Sequence, residues 1–108
     1  MVQALSALAD PIRRQIVEML ADRERDAGEL AAAFPVSQPA VSRHLRVLRE
    51  AGLVRVRPEA QRRVYALDPR PLEELSRWLD RYRGFWGRRL DALDAELARG
   101  RRQRDEER

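Results

Sequence analysis

A chain of 108 residues, 44% hydrophobic, 37% charged and 6% aromatic, can bury one small core and has no room for a separate catalytic domain. It has no cysteine, which excludes disulfides, thiolate metal sites and thiol redox sensing, and its single histidine argues against imidazole metal sites and Ser-His catalysis. The net charge is +4, no apolar run approaches the roughly 18 residues of a membrane span, and the amino terminus lacks the layout of a secretory signal, so a soluble, cytoplasmic protein is expected.

Val2, Leu5 and Leu8 predict a short amphipathic helix over residues 2–9. Asp10-Pro11 starts a second helix, because aspartate caps well and proline suits the first helical position. Ile12, Ile16, Met19 and Leu20 carry it to about Ala21, and the charged run 22–25 reads as a connection. Asp26 caps a short third helix that breaks at Phe34-Pro35-Val36, since a residue before proline disfavours the α region. Ser37 caps a fourth helix with Val41, Leu45 and Leu48 on one stripe, and Gly52 ends it.

Two alternating, β-branched runs follow, Leu53–Arg57 and Arg62–Leu67, predicting a hairpin around a four-residue turn, Pro58–Gln61. A last helix is expected over about 69–99, with Leu72, Leu75, Leu79, Tyr82, Trp86, Leu90, Leu93 and Leu97 on a seam close to a coiled-coil repeat. The charged tail, 101–108, is expected to fray. The fold class these elements predict is mainly α with a small β-hairpin: a winged helix-turn-helix over residues 1–100, with its wing at about 53–67 and a long carboxy-terminal dimerisation helix.

All 22 basic residues are arginine, and their excess is local: residues 38–63 hold seven Arg against two acids, a net +5. Such a stretch suits an anionic ligand such as a nucleic-acid backbone. With Val41, Leu45 and Leu48 facing the core, Gln38, Ser42, Arg43 and Arg46 fall on the outer side of the fourth helix. Arginine can contact guanine bidentately, glutamine can contact adenine, and serine can bond to phosphate or base. Arg62 and Arg63 are the favoured wing contacts. His44 lies on the flank, about 70° from the stripe centre, which suits a packed or backbone-bonded ring better than a base reader. The candidate dimer interface comprises Leu5, Leu75, Leu79, Tyr82, Trp86, Leu90 and Leu93. No cofactor, metal or catalytic residue is expected, because no carboxylate pair, nucleophile-base pair or phosphate loop occurs. A protein-interaction adaptor and a nonspecific nucleoid-binding protein are the alternatives. The concentration of positive charge at 38–63 speaks against the first, and sequence-dependent affinity would separate the second.

The segments LADPIRRQIVEML, GELAAAF, VSQPAVSRHLRVLREAGLV and RRVYAL resemble the ArsR-type winged-helix transcriptional repressors over residues 5–67. RWLDRYRGFWGRRLDALDAEL is similar to the dimerising helix of a metal-independent branch of that family. The resemblance implies a homodimer that binds double-stranded DNA at a two-fold operator and represses transcription, often of its own operon. Metal-sensing members carry cysteines at the third helix, or His, Asp and Glu ligands on the last. This chain has Asp26-Ala27-Gly28-Glu29-Leu30 at the first place and no histidine at the second.

Overall fold

The computed structural model describes residues 1–106, apart from the side chains of residues 86, 105 and 106. The elements in order are α1 (Val2–Leu8), α2 (Pro11–Asp22), β1 (Arg25–Asp26), α3 (Ala27–Ala32), α4 (Gln38–Glu50), β2 (Val54–Glu59), β3 (Arg62–Leu67), α5 (Arg70–Asp80) and α6 (Arg83–Glu106). They fall into two compact units, one ending at Leu75 and the other beginning at Ser76.

Local chemistry sets the helix boundaries in the first unit. The Asp10 carboxylate accepts from the backbone N–H groups of Ile12 and Arg13, at 2.8 and 3.2 Å, with Pro11 opening α2. Asp26 and Glu29 form a reciprocal capping box on α3. The Ser37 hydroxyl accepts from Ala40 N at 3.3 Å and starts α4. At the other end of α4, Gly52 takes φ +76° while its N–H donates to Arg49 O and that of Leu53 donates to Leu48 O, closing a Schellman cap. Ile16, Leu30, Val41, Leu48 and Leu53 are the largest fully buried side chains, so the core lies between α2, α3, α4 and the start of the hairpin. Val41, Leu45 and Leu48 are all buried, which fixes which face of α4 points outward.

Several elements differ from the sequence reading. Arg25, read as connection, and Asp26, read as the cap of the third helix, form a strand that makes the hairpin into a three-stranded antiparallel sheet of order β1-β3-β2. The hairpin turn has two residues rather than four, because the ladder continues through Pro58↔Arg63 and Glu59↔Arg62. Pro58 is tolerated because β2 is an edge strand, where a missing N–H leaves no ladder bond unmade. Ala60 absorbs the reversal at φ +56°, the left-handed region that glycine usually occupies.

The single last helix is two helices. α5 ends in i→i−3 bonds, Arg81 N to Trp78 O and Tyr82 N to Leu79 O, and α6 begins at Arg83. α6 runs on to Glu106, past the expected end near residue 99; residues 107 and 108 of the expected tail lie outside the described residues.

Asp68 joins the hairpin to α5 and is 4% exposed. Its carboxylate accepts from the Arg70 backbone at 3.1 Å and from Nη2 of the Arg70 side chain at 2.7 Å. These hydrogen bonds, the side-chain ones foremost, hold its pKa down to about 2. A carboxyl depressed below its unfolded value of about 3.9 stabilises the fold at neutral pH and loses that contribution as pH falls. Asp68→Asn is therefore expected to lower the urea midpoint at pH 7. The gap to the wild-type chain should narrow between about pH 4 and pH 2, and a gap independent of pH in that range would show that the ion pair does not stabilise the fold.

Candidate nucleic-acid interface

α3, the bend at Phe34–Val36 and α4 form a helix-turn-helix, and β2–β3 is the wing behind it. Gln38, Ser42, Arg43 and Arg46 are exposed along the outer face of α4. Between α4 and the wing runs a groove of about 510 Å³, lined by Gln38, Ser42 and Arg43 on one side and by Arg63 and Tyr65 of β3 on the other, with Ala27 and Ala31 of α3 also contributing. The fold thus brings four of the six predicted DNA-binding residues, Gln38, Ser42, Arg43 and Arg63, to one groove. Arg46 lies on the same helix outside the groove lining. Arg62 lines an adjoining hollow at the wing tip with Asp26, Gly28, Gln61 and Arg63.

The arginines differ in how their charge is used. Among the described residues, Arg43, Arg46 and Arg63 have neither an ion-pair nor a hydrogen-bond partner. Arg62 is 3.5 Å from the Asp26 carboxylate. Arg57 is held twice, by Glu24 at 2.7 Å and Glu59 at 3.1 Å. The Arg57 hydrogen bond holds the Glu24 carboxyl below the ordinary glutamate value. Arg55 approaches Asp68 at 3.9 Å. Glu24 and Asp26 are the site-bordering residues that sequence reasoning missed. They arrive through the β1–β3 pairing, which places Asp26 opposite Val64.

His44 is half-buried against the start of α2. Arg13 Nη1 lies 3.3 Å from its Nδ1, while Arg13 Nε donates to the Ala7 carbonyl at 2.6 Å and Asp10 is 4.0 Å away. The ring is thus packed among side chains rather than bonded to backbone. No group of three or more His, Asp or Glu side chains among the described residues is placed to hold a metal ion.

In the second unit, Trp78 and Tyr82 meet edge to face with ring centroids 5.4 Å apart, and Arg89 stacks over Phe85 at 4.4 Å. Trp78, Leu79, Tyr82 and Phe85 line an apolar hollow of about 360 Å³. Leu79, Tyr82, Leu90, Leu93 and Leu97 are exposed, Leu90 by 58%. In the first unit, Leu5 is exposed as well, but Leu75 is not available to a partner. It is 7% exposed and packed into the core of its own unit, so it leaves the candidate dimer face. The Trp86 side chain, also named for that face, lies outside the described residues.

A helix-turn-helix followed by a basic hairpin, with a helix-to-wing groove carrying unpaired arginines, defines a winged-helix DNA-binding protein. The profile of the bacterial regulatory protein, arsR family, matches residues 10–56. The chain is 54% identical over 88 residues to the HTH-type transcriptional regulator Rv2034 of Mycobacterium tuberculosis, a match spanning 82% of this chain and 79% of that protein. It is 30% identical over 79 residues to the transcriptional repressor SdpR of Bacillus subtilis, spanning 73% and 88% respectively. An ArsR-like transcriptional regulator from Rhodococcus sp. RHA1 superposes with a TM-score of 0.68 at 32% identity, covering 85% of this chain and 87% of that one. The chain belongs to the ArsR family. It is a DNA-binding transcriptional regulator and not an enzyme. No helix among the described residues is long and apolar enough to cross a membrane.

Proposed function

We propose that the protein is a homodimeric repressor, acting in the cytoplasm on an operator that is an imperfect inverted repeat. In this reading α4 enters the major groove with Gln38, Ser42, Arg43 and Arg46 facing the bases and nearby phosphates. The wing lies on the flanking backbone, with Arg63 its main cation and Arg62 a lesser one. The observation that carries the reading is the groove between α4 and β3, where Arg43 and Arg63 face each other without counter-charges. Unpaired guanidinium groups release phosphate counterions when they bind, whereas a paired one must first give up its carboxylate. SdpR is named a repressor and HlyU of Vibrio cholerae, 41% identical over 80 residues, an activator; this reading takes the first direction. Footprinting on the DNA upstream of the protein's own gene is expected to protect two half-sites about 10–11 base pairs apart. Equal protection of unrelated DNA would replace the reading with nonspecific nucleoid binding.

The operator affinity is also expected to be independent of soft metals. With no cysteine and with His44 packed against Arg13, zinc, cadmium or arsenite meets no closed set of ligands. Titration of metal or chelator into the operator complex should leave the dissociation constant unchanged. A large shift at micromolar metal, abolished by His44→Gln, would refute this.

A further inference from the structure

The wing has two chemically distinct faces. Successive strand residues alternate sides, so Arg63 and Tyr65 turn toward the α4 groove while Arg55, Arg57, Val64 and Ala66 line the opposite side together with Glu24, Arg55 lying 3.9 Å from the Asp68 carboxylate. On the α4 side Arg63 has no counter-charge among the described residues. On the far side, Arg57 stands between two carboxylates, Glu24 and Glu59, so that this trio carries a net negative charge. Arg62 is matched by Asp26. The net +5 that the sequence assigns to residues 38–63 already counts Glu59, and it falls to +3 once the fold adds Glu24 and Asp26.

We propose that Glu24 and Glu59 are specificity-determining residues: by occupying Arg57 they keep the far face of the wing out of DNA binding, so that affinity for arbitrary sequence stays low. The proposal rests on the DNA-binding reading above. With α4 in the operator groove the far face of the wing points away from the bound duplex, whereas loose binding to arbitrary sequence can use any cationic face, so a free cation on the far face raises nonspecific binding more than specific binding and reduces the advantage of the operator. A cation held at 2.7 Å by one carboxylate and 3.1 Å by another contributes little to this. Moving it to a phosphate would leave two uncompensated negative charges within a Debye length, about 8–10 Å, of the backbone. Glu24 and Glu59 thus act on DNA through Arg57, and their effect is a ratio of affinities rather than an affinity alone.

The test is a cycle of four full-length proteins: wild type, Arg57→Gln, Glu24→Gln/Glu59→Gln, and the triple variant. Each is titrated against a random-sequence duplex over a range of salt concentrations and against the operator at one. All the altered side chains are solvent-exposed, and a thermal melt of each protein checks that it is folded. In the wild-type background Arg57→Gln should leave the salt slope unchanged. The double carboxylate variant should steepen the slope by about 0.9 per wing, the increment for one phosphate neutralised. It should also bind random DNA more tightly than wild type and prefer the operator less. Adding Arg57→Gln should cancel that increment. If Arg57→Gln instead flattens the slope equally in both backgrounds, net charge alone explains the data and the proposal fails. It fails too if the carboxylate variant shows no steepening. The random duplex needs no operator, so these outcomes are separate from failure of the repressor reading, which would appear as a wild-type protein without sequence preference.

Discussion

Replacing Arg43 with alanine is expected to lower operator affinity by about 1–3 kcal/mol and to relax the preference at one base pair in each half-site, leaving binding to random DNA nearly intact. The expectation follows from the position of the residue rather than from its charge. Arg43 sits in the first half of α4, next to Ser42 on the helix face opposite Val41, Leu45 and Leu48, and no carboxylate among the described residues claims it. A guanidinium so placed can spend two donors on one guanine edge. Arg63→Ala should behave differently. On β3, across the groove from Arg43, it is placed for the DNA backbone, so its loss should weaken all sequences alike and flatten the salt dependence by about 0.9 per wing. Competition titrations with single-base operator variants separate the two patterns. Operator discrimination unchanged in Arg43→Ala would mean that α4 is not the reading helix.

The parts of this site that were legible in the sequence are those whose determinants are local. Ser37 and Gly52 mark the two ends of α4, and the spacing of Val41, Leu45 and Leu48 orients it, so its outward residues could be named without coordinates. The wing was legible for the same reason, because two alternating runs pair with each other across a short turn. Elements that depend on distant partners were not. Residues 25–26 are charged and form a strand only because β3, some 40 positions later, offers its free edge. Their arrival also changes the electrostatics of the wing, since Glu24 and Asp26 compensate arginines that look free in the chain order. The break between α5 and α6 was hidden for another reason. The apolar spacing Leu79, Tyr82, Trp86 runs straight through it, and no proline or glycine occupies residues 81–82, so periodicity alone could not register a change of helix. Leu75 shows the limit of such a seam. It keeps the repeat of the exposed leucines but belongs to the core of its own unit.

Leu79→Glu or Leu90→Glu is expected to abolish the dimer, and operator binding should be lost at the same protein concentration. The second unit exposes Leu79, Tyr82, Leu90, Leu93 and Leu97, beside an apolar hollow lined by Trp78, Leu79, Tyr82 and Phe85. An apolar surface of this kind costs free energy in water and points to burial against a partner. A second copy is the partner that the proposed two-half-site operator calls for. One chain offers one α4, while two successive major-groove contacts on the same side of B-DNA lie about 34 Å apart, and only a two-fold pair presents both helices with matching polarity. A self-complementary interface places each leucine in the partner's surface as well as in its own, so one substitution acts twice. A glutamate there must be desolvated without a counter-charge, a cost of several kcal/mol per site, more than enough to dissociate a micromolar dimer. Leu5→Glu, at an exposed position of α1 in the first unit, tests whether that helix shares the interface. Sedimentation velocity and operator titration on the same samples give the answer together. A wild-type protein that sediments as a monomer at tens of micromolar, yet binds its operator tightly with one protein per site, would overturn the dimeric reading and leave the exposed leucines to another partner.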